Sequence, residues 1–189
     1  MKTTIYMVRH AEAPFVFGEE RTRGLSAKGV EDAKRVASLL ASVDVHEMVS
    51  SPYARAKMTI QYAAEQKNLD IVEYEELAER AILGLDREAP WDVLVEAIRR
   101  SFTDKEFALE GGESTRQAQR RTIPVIEKLL ERHRGRTIVI GTHGNIMTII
   151  LNHYDERFGF DFWKSTSMPD IYKLTFDGSR LESVERRWS

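Results

Sequence analysis

The chain has 189 residues, of which 42% are hydrophobic and 31% charged, with 28 basic against 30 acidic side chains and a formal net charge of −2. That balance is ordinary for one soluble domain spanning 1–189, and it speaks against nucleic acid as a partner, which would need a basic surface. The absence of cysteine excludes disulfides, thiol nucleophiles and thiolate metal sites.

The first apolar run, Ile5-Tyr6-Met7-Val8, stops at Arg9-His10-Ala11-Glu12. It reads as a buried strand that delivers two polar side chains to its carboxyl end, where ligand crevices form in α/β sheets. The run reaches charge too soon for a signal peptide, and no stretch approaches the roughly 18 apolar residues of a membrane span. A cytoplasmic protein with no membrane partner is therefore expected.

A polar, glycine-containing loop follows from Ala13 to Gly24. Ser26 to Ser42 has Val30, Ala33, Ala37, Leu40 and Ala41 on one helical face, with Ser26 as the N-cap. Val45 to Ser50 alternates as a short strand. Ser51-Pro52 then predicts an N-cap and a first helical residue, opening a helix that carries Ala56, Ile60, Ala63 and Ala64 inward to about Gln66. Ile71 to Tyr74 reads as another strand.

From 75 to 112 the periodicity weakens into an excursion from the sheet, with one amphipathic helix over Trp91 to Phe102. Ser114 and Gln117 have the spacing of a capping box, opening a long helix to about Arg134 in which Pro124 predicts a kink. Thr137 to Gly144 repeats the opening arrangement, an apolar strand ending at Thr142-His143-Gly144. An apolar helix over Ile146 to Asn152 and an irregular segment around Phe158 to Trp163 come next. Asp177-Gly178 joins two closing strands within Asp170 to Arg187 as a hairpin. The alternation of strands and helices predicts an α/β fold, a three-layer α/β/α sandwich with a mostly parallel sheet, the hairpin at its edge and the excursion over the site.

Two strands that each end in a histidine are hard to explain by packing alone. Arg9 beside His10 can hold an anion, Gly144 permits close approach to the backbone, and the helix starting there offers N–H groups to an anion. Arg55 lies in a helix's first turn, where the macrodipole disfavours a cation unless it faces a phosphate that its guanidinium can grip in a bidentate way. His46, His133 and His153 have only structural or solvated roles in this reading.

Val8-Arg9-His10-Ala11-Glu12, Ser50-Ser51-Pro52-Tyr53-Ala54-Arg55-Ala56 and Gly141-Thr142-His143-Gly144 together resemble the three signature stretches of the histidine phosphatase superfamily, in its phosphoglycerate-mutase-like branch. Leu25-Ser26-Ala27-Lys28-Gly29 and Gly112-Glu113-Ser114 are similar to two further stretches of that family. The resemblance implies that His10 is a nucleophile that becomes phosphorylated, that Arg9, Arg55 and His143 hold the transferred group, and that Glu79, in Leu77-Ala78-Glu79, is the acid. Glu75, Glu76 and Glu88 compete for that last role. Ala11 departs from the usual glycine, and the loop from Ala13 to Arg23 yields no phosphate ligand; Phe15 and Phe17 in it either line the leaving-group side or simply pack.

No metal-binding motif is present, so a metal-free reaction without cofactor on a small phosphorylated substrate is expected. Hydrolysis of a phosphomonoester is favoured. Phosphoglycerate-mutase-type transfer is the alternative, with Arg99-Arg100 as a faint echo of a mutase stretch, and a non-catalytic phosphate-binding module is the second. The expectation requires both histidine rings and both guanidinium groups to converge on one pocket, with Arg55 not buried against an unrelated carboxylate.

Overall fold

In the first strand, Ile5 and Met7 point to one side of the sheet and Val8 to the other, and all three are fully buried. A strand covered on both faces has to be apolar at successive positions. The computed structural model describes residues 1–189 and places this strand, β1 (Lys2–Arg9), inside a six-stranded sheet. The other strands are β2 (Glu47–Ser50), β3 (Ile71–Glu73), β4 (Thr137–Thr142), β5 (Asp170–Asp177) and β6 (Arg180–Arg186). Their order is β3-β2-β4-β1-β5-β6, with the first four parallel and β5 and β6 antiparallel at one edge.

The helices cover both faces. Helices α1 (Ala27–Leu40) and α2 (Ala54–Lys67) close the core that contains Val8, Val36, Leu40, Met48, Ile60 and Val139. On the opposite face, α4 (Thr115–Arg132) and α5 (Gly144–Tyr154) close the larger core around Ile5, Met7, Ile126, Leu129, Ile138, Ile140 and Phe176. The excursion consists of a 3₁₀ turn at Glu75–Leu77 and helix α3 (Trp91–Thr103). The expected three-layer α/β/α arrangement is present, and so is the edge hairpin, with Gly178 at φ +61° in its turn.

Several local expectations need correction. On α1 the buried face uses Val36 and not Ala41, which is exposed. Ser51-Pro52 does not open α2, whose N-cap is Tyr53; Ser51 Oγ instead accepts from the Tyr53 N–H at 3.2 Å and turns towards the next strand. The segment thought irregular contains helix α6 (Phe160–Ser165). Its rings pack internally: Phe162 lies 5.0 Å from Tyr172 and from Phe158, and Trp163 is 5.6 Å from Phe160. Helix α4 starts with the expected reciprocal capping box and runs through Pro124 to Arg132.

Candidate active site

The parallel registers gather the chemistry. Arg9 pairs with Thr142 and Ser50 with Gly141, so β2, β4 and β1 end side by side. The ladder continues one residue past each end, through His10 N–H to Thr142 O at 2.9 Å and Ser51 N–H to Gly141 O at 3.0 Å. His10, Ser51 and His143 thus emerge next to one another at the carboxyl edge. Gly141 is required in this arrangement, because a Cβ there would come within 2.9 Å of Ala56 O and of Ser50 Oγ.

The rings of His10 and His143 meet edge to face at 5.3 Å between centroids, and both are buried. His10 Nδ1 lies 2.7 Å from Ala11 O. A carbonyl can only accept, so Nδ1 carries the proton and Nε2 keeps its lone pair. Burial, then Arg55, then Arg9 and Arg23 push the His10 pKa down to about 3, against the opposing pull of the Ala11 carbonyl. His143 Nε2 is 2.7 Å from Ser51 Oγ. Burial, followed by His10, Arg55, Arg23 and Arg9, holds its pKa well below the usual value. Both rings are therefore neutral at physiological pH.

Three arginines act on this pair of rings. Arg9 lies against Gly144, where a Cβ would meet its guanidinium carbon at 2.8 Å, and its Nη1 donates to Thr166 Oγ1 at 2.5 Å. Arg55 is 1% exposed and donates to Glu20 O at 2.6 Å and to Glu20 Oε1. Arg23 donates to Ala13 O at 2.7 Å, and its Nε lies 3.7 Å from the other Glu20 carboxylate oxygen. The Nε atoms of Arg9, Arg23 and Arg55 and the Nδ1 of His143 are all buried without a hydrogen-bond partner in the protein. Buried nitrogens left unpaired beside two neutral rings are donors available to an anion.

Arg23 and Glu20 were not identified from the sequence. They lie in Gly18-Glu19-Glu20-Arg21-Thr22-Arg23-Gly24, a charged loop between glycines whose default reading is solvated surface. Glu20 is the carboxylate partner that the sequence reading did not allow for Arg55. Its other carboxylate oxygen faces Arg23, so the same side chain lies between two of the three arginines. Phe15 and Phe17 are exposed, and the Arg23 guanidinium lies 6.0 Å from the centre of the Phe15 ring.

Glu79 closes the opposite side. Its Oε1 accepts from the N–H groups of Arg80 at 2.9 Å and Ile146 at 2.8 Å, and its Oε2 from that of Asn145 at 3.1 Å. The first turn of α5 was expected to offer its N–H groups to a bound anion; two of them are taken by this carboxylate. Burial still outweighs those bonds and raises the Glu79 pKa. Glu75, Glu76 and Glu88 are exposed, and Glu75 pairs with Arg21. Glu79 also lines a cavity of about 430 Å³, together with Glu75, Glu113, Gln117, Arg121 and the Gly111-Gly112 backbone.

Residues 5–188 match the family model described as histidine phosphatase superfamily (branch 1). Phosphoserine phosphatase 1 of Hydrogenobacter thermophilus is 27% identical over 153 residues, covering 74% of this chain and 70% of that protein. The 2,3-bisphosphoglycerate-dependent phosphoglycerate mutase of Mesorhizobium japonicum is 26% identical, covering 95% of this chain and 96% of that protein. Among solved structures, a mycobacterial glucosyl-3-phosphoglycerate phosphatase aligns with a TM-score of 0.73 at 21% identity, covering 99% of this chain and 97% of the other. No helix in the protein is long and apolar enough to cross a membrane.

Proposed function

This chain belongs to the histidine phosphatase superfamily, and from that membership we propose that it hydrolyses phosphomonoesters through a phosphohistidine on His10. The observation that carries the reading is the edge-to-face pair of neutral imidazoles, His10 and His143, acted on by three arginines whose Nε atoms are buried and unpaired.

Phosphoryl transfer spreads charge over three equatorial oxygens, with the entering and leaving atoms in line. The three guanidinium groups supply preorganised positive charge for those oxygens. With the Ser51 hydroxyl donating to His143 Nε2, the remaining ring proton sits on Nδ1 and can join them. His10 Nε2 attacks phosphorus, and the bond from phosphorus to the alcohol oxygen breaks. Glu79, whose pKa burial raises, gives its proton to the departing alkoxide. As a carboxylate it then takes a proton from the water that cleaves the phosphorus–nitrogen bond, which restores His10.

Hydrolysis is favoured over mutase-type transfer by the positions of two basic residues. Arg99 stacks on Phe160 at 4.1 Å and Arg100 on Phe107 at 4.0 Å, so neither lines the cavity beside Glu79. A mutase needs free cations there to retain its substrate's carboxylate, and the cation that does line it, Arg121, is taken up by Glu113.

The test is hydrolysis of p-nitrophenyl phosphate with and without EDTA, combined with rapid quenching in base to trap an acid-labile phosphoenzyme. Wild type should turn over without added metal and form the adduct, and His10→Ala should do neither. Near-normal turnover by His10→Ala would exclude the mechanism. Tight phosphate binding without any turnover by the wild type would leave a binding module instead.

A further inference from the structure

The cavity beside Glu79 has a composition that selects among leaving groups. Its walls are Glu75, Glu79, Glu113, Gln117, Arg121, Ala78, Ala81 and the Gly111-Gly112 backbone, with no aromatic and no large aliphatic side chain. Glu79 is the one proposed catalytic group on these walls, and if it protonates the departing oxygen, the rest of the alcohol has room to extend into this space, which is large enough for a group the size of a monosaccharide.

The charges in the cavity are already balanced. Arg121 donates to both carboxylate oxygens of Glu113, at 2.6 and 2.8 Å, and its third nitrogen donates to Glu76 O. Arg21 pairs with Glu75 at the rim. A carboxylate or second phosphate on the leaving group would lie among acidic side chains and find the one cation engaged at all three nitrogens. An ammonium group would find those carboxylates neutralised. Hydroxyl groups meet carboxylate and amide acceptors on several sides, whereas an aryl or alkyl group meets little apolar surface.

Resting on the phosphatase reading above, we propose that the enzyme's substrates are phosphomonoesters of uncharged, hydroxyl-rich alcohols, and that the Glu113–Arg121 pair excludes leaving groups bearing a carboxylate. Glu113 and Arg121 act as specificity-determining residues, and the charge balance between them decides which alcohol is accepted.

The experiment compares kcat/KM for glucose 6-phosphate and glycerol 3-phosphate with kcat/KM for 3-phosphoglycerate and phosphoethanolamine, on wild type, Glu113→Gln and Arg121→Gln. Wild type should prefer both uncharged alcohols by about tenfold or more. Glu113→Gln releases Arg121 and should lower KM for 3-phosphoglycerate, closing that gap. Arg121→Gln leaves Glu113 unbalanced and should move selectivity the other way, towards phosphoethanolamine. Wild-type activity on 3-phosphoglycerate or phosphoethanolamine equal to that on the uncharged esters overturns the proposal. So do selectivity ratios unmoved in both variants while p-nitrophenyl phosphate is still hydrolysed. If wild type hydrolyses p-nitrophenyl phosphate but none of these esters, the proposal fails; if it hydrolyses neither, the phosphatase reading itself fails.

Discussion

Arg55 is gripped by Glu20 at two points: one guanidinium nitrogen is held by the Glu20 backbone carbonyl and another by its carboxylate. A phosphoryl group drawn to the Arg55 guanidinium meets an internal anion beside it. Glu20→Gln should therefore lower the competitive inhibition constant of inorganic phosphate by about tenfold, the scale of one charge-assisted hydrogen bond. A weaker or unchanged inhibition constant would instead make Glu20 a support that holds Arg55 in place.

Removal of Arg55 tests the other partner. Arg55→Ala should lower kcat for p-nitrophenyl phosphate by about 10²–10³-fold, the usual loss when one preorganised donor to transition-state charge is deleted. Arg55→Lys should recover little, since a point charge cannot reproduce the planar fork. Circular dichroism of both variants checks that the fold survives the loss of this buried side chain.

The pH dependence of turnover should follow Glu79. Its raised pKa means that the proton-bearing form needed by the leaving group persists above the usual carboxylate range, and activity falls as pH rises through that raised value. On the acid side, His10 stays neutral down to about 3, so its protonation sets no limb near neutrality. In Glu79→Gln the basic limb should disappear, and hydrolysis of esters with poor leaving groups should suffer more than that of p-nitrophenyl phosphate. A basic limb that persists in the variant would assign the acid elsewhere.

Stability should also titrate, with the opposite sign. Buried His10 and His143 have depressed pKa values, so their contribution is complete above the unfolded value of 6.5 and is lost as pH falls through the folded values. The unfolding free energy measured in urea should decline as pH falls from about 6.5 towards 3, with His10 contributing about 1.4 kcal/mol per pH unit over that window and His143 adding in the same direction. His10→Gln should shallow that slope. Equal slopes in variant and wild type would mean that other groups dominate acid unfolding.

Arg80 makes a purely structural prediction. It is 4% exposed and has no carboxylate partner, but it donates to Ser101 Oγ at 2.7 Å, Thr115 Oγ1 at 3.1 Å and Asn145 Oδ1 at 2.6 Å. Burial lowers its pKa to about 10. These bonds join α3, α4 and the first turn of α5 directly behind Glu79. Arg80→Met should cost roughly 2–4 kcal/mol in urea unfolding, by leaving three buried acceptors without their donor. A loss below 1 kcal/mol would show that those acceptors find other partners.

The parts of the site carried on strands were legible in the sequence, while those on loops and turns were less so. His10 and His143 stand at the ends of apolar runs, a pattern that burial on two sheet faces imposes. Arg23 and Glu20 could not be found that way, because loop 13–24 has no periodicity and its charges resemble any solvated turn. Ser51 was misjudged for a related reason: Ser-Pro is a sound helix-start signal, but here the hydroxyl meets His143 Nε2 and the helix waits for Tyr53. The N–H groups of Asn145 and Ile146 were misassigned because the partner that takes them, Glu79, lies 66 residues away from Asn145 in the chain.

The shared edge of β2, β4 and β1 divides this enzyme's evolutionary freedom unequally. His10, Ser51 and His143 are locked into one ladder of backbone bonds, so a change in any of those strands disturbs all three. The wall that contains Glu113 and Arg121 has no such tie to the sheet. Substituting the residues that line this wall, Glu113 and Arg121 among them, should therefore redirect which alcohol is released while the transfer chemistry stays intact, which makes the wall the natural place to engineer new substrates.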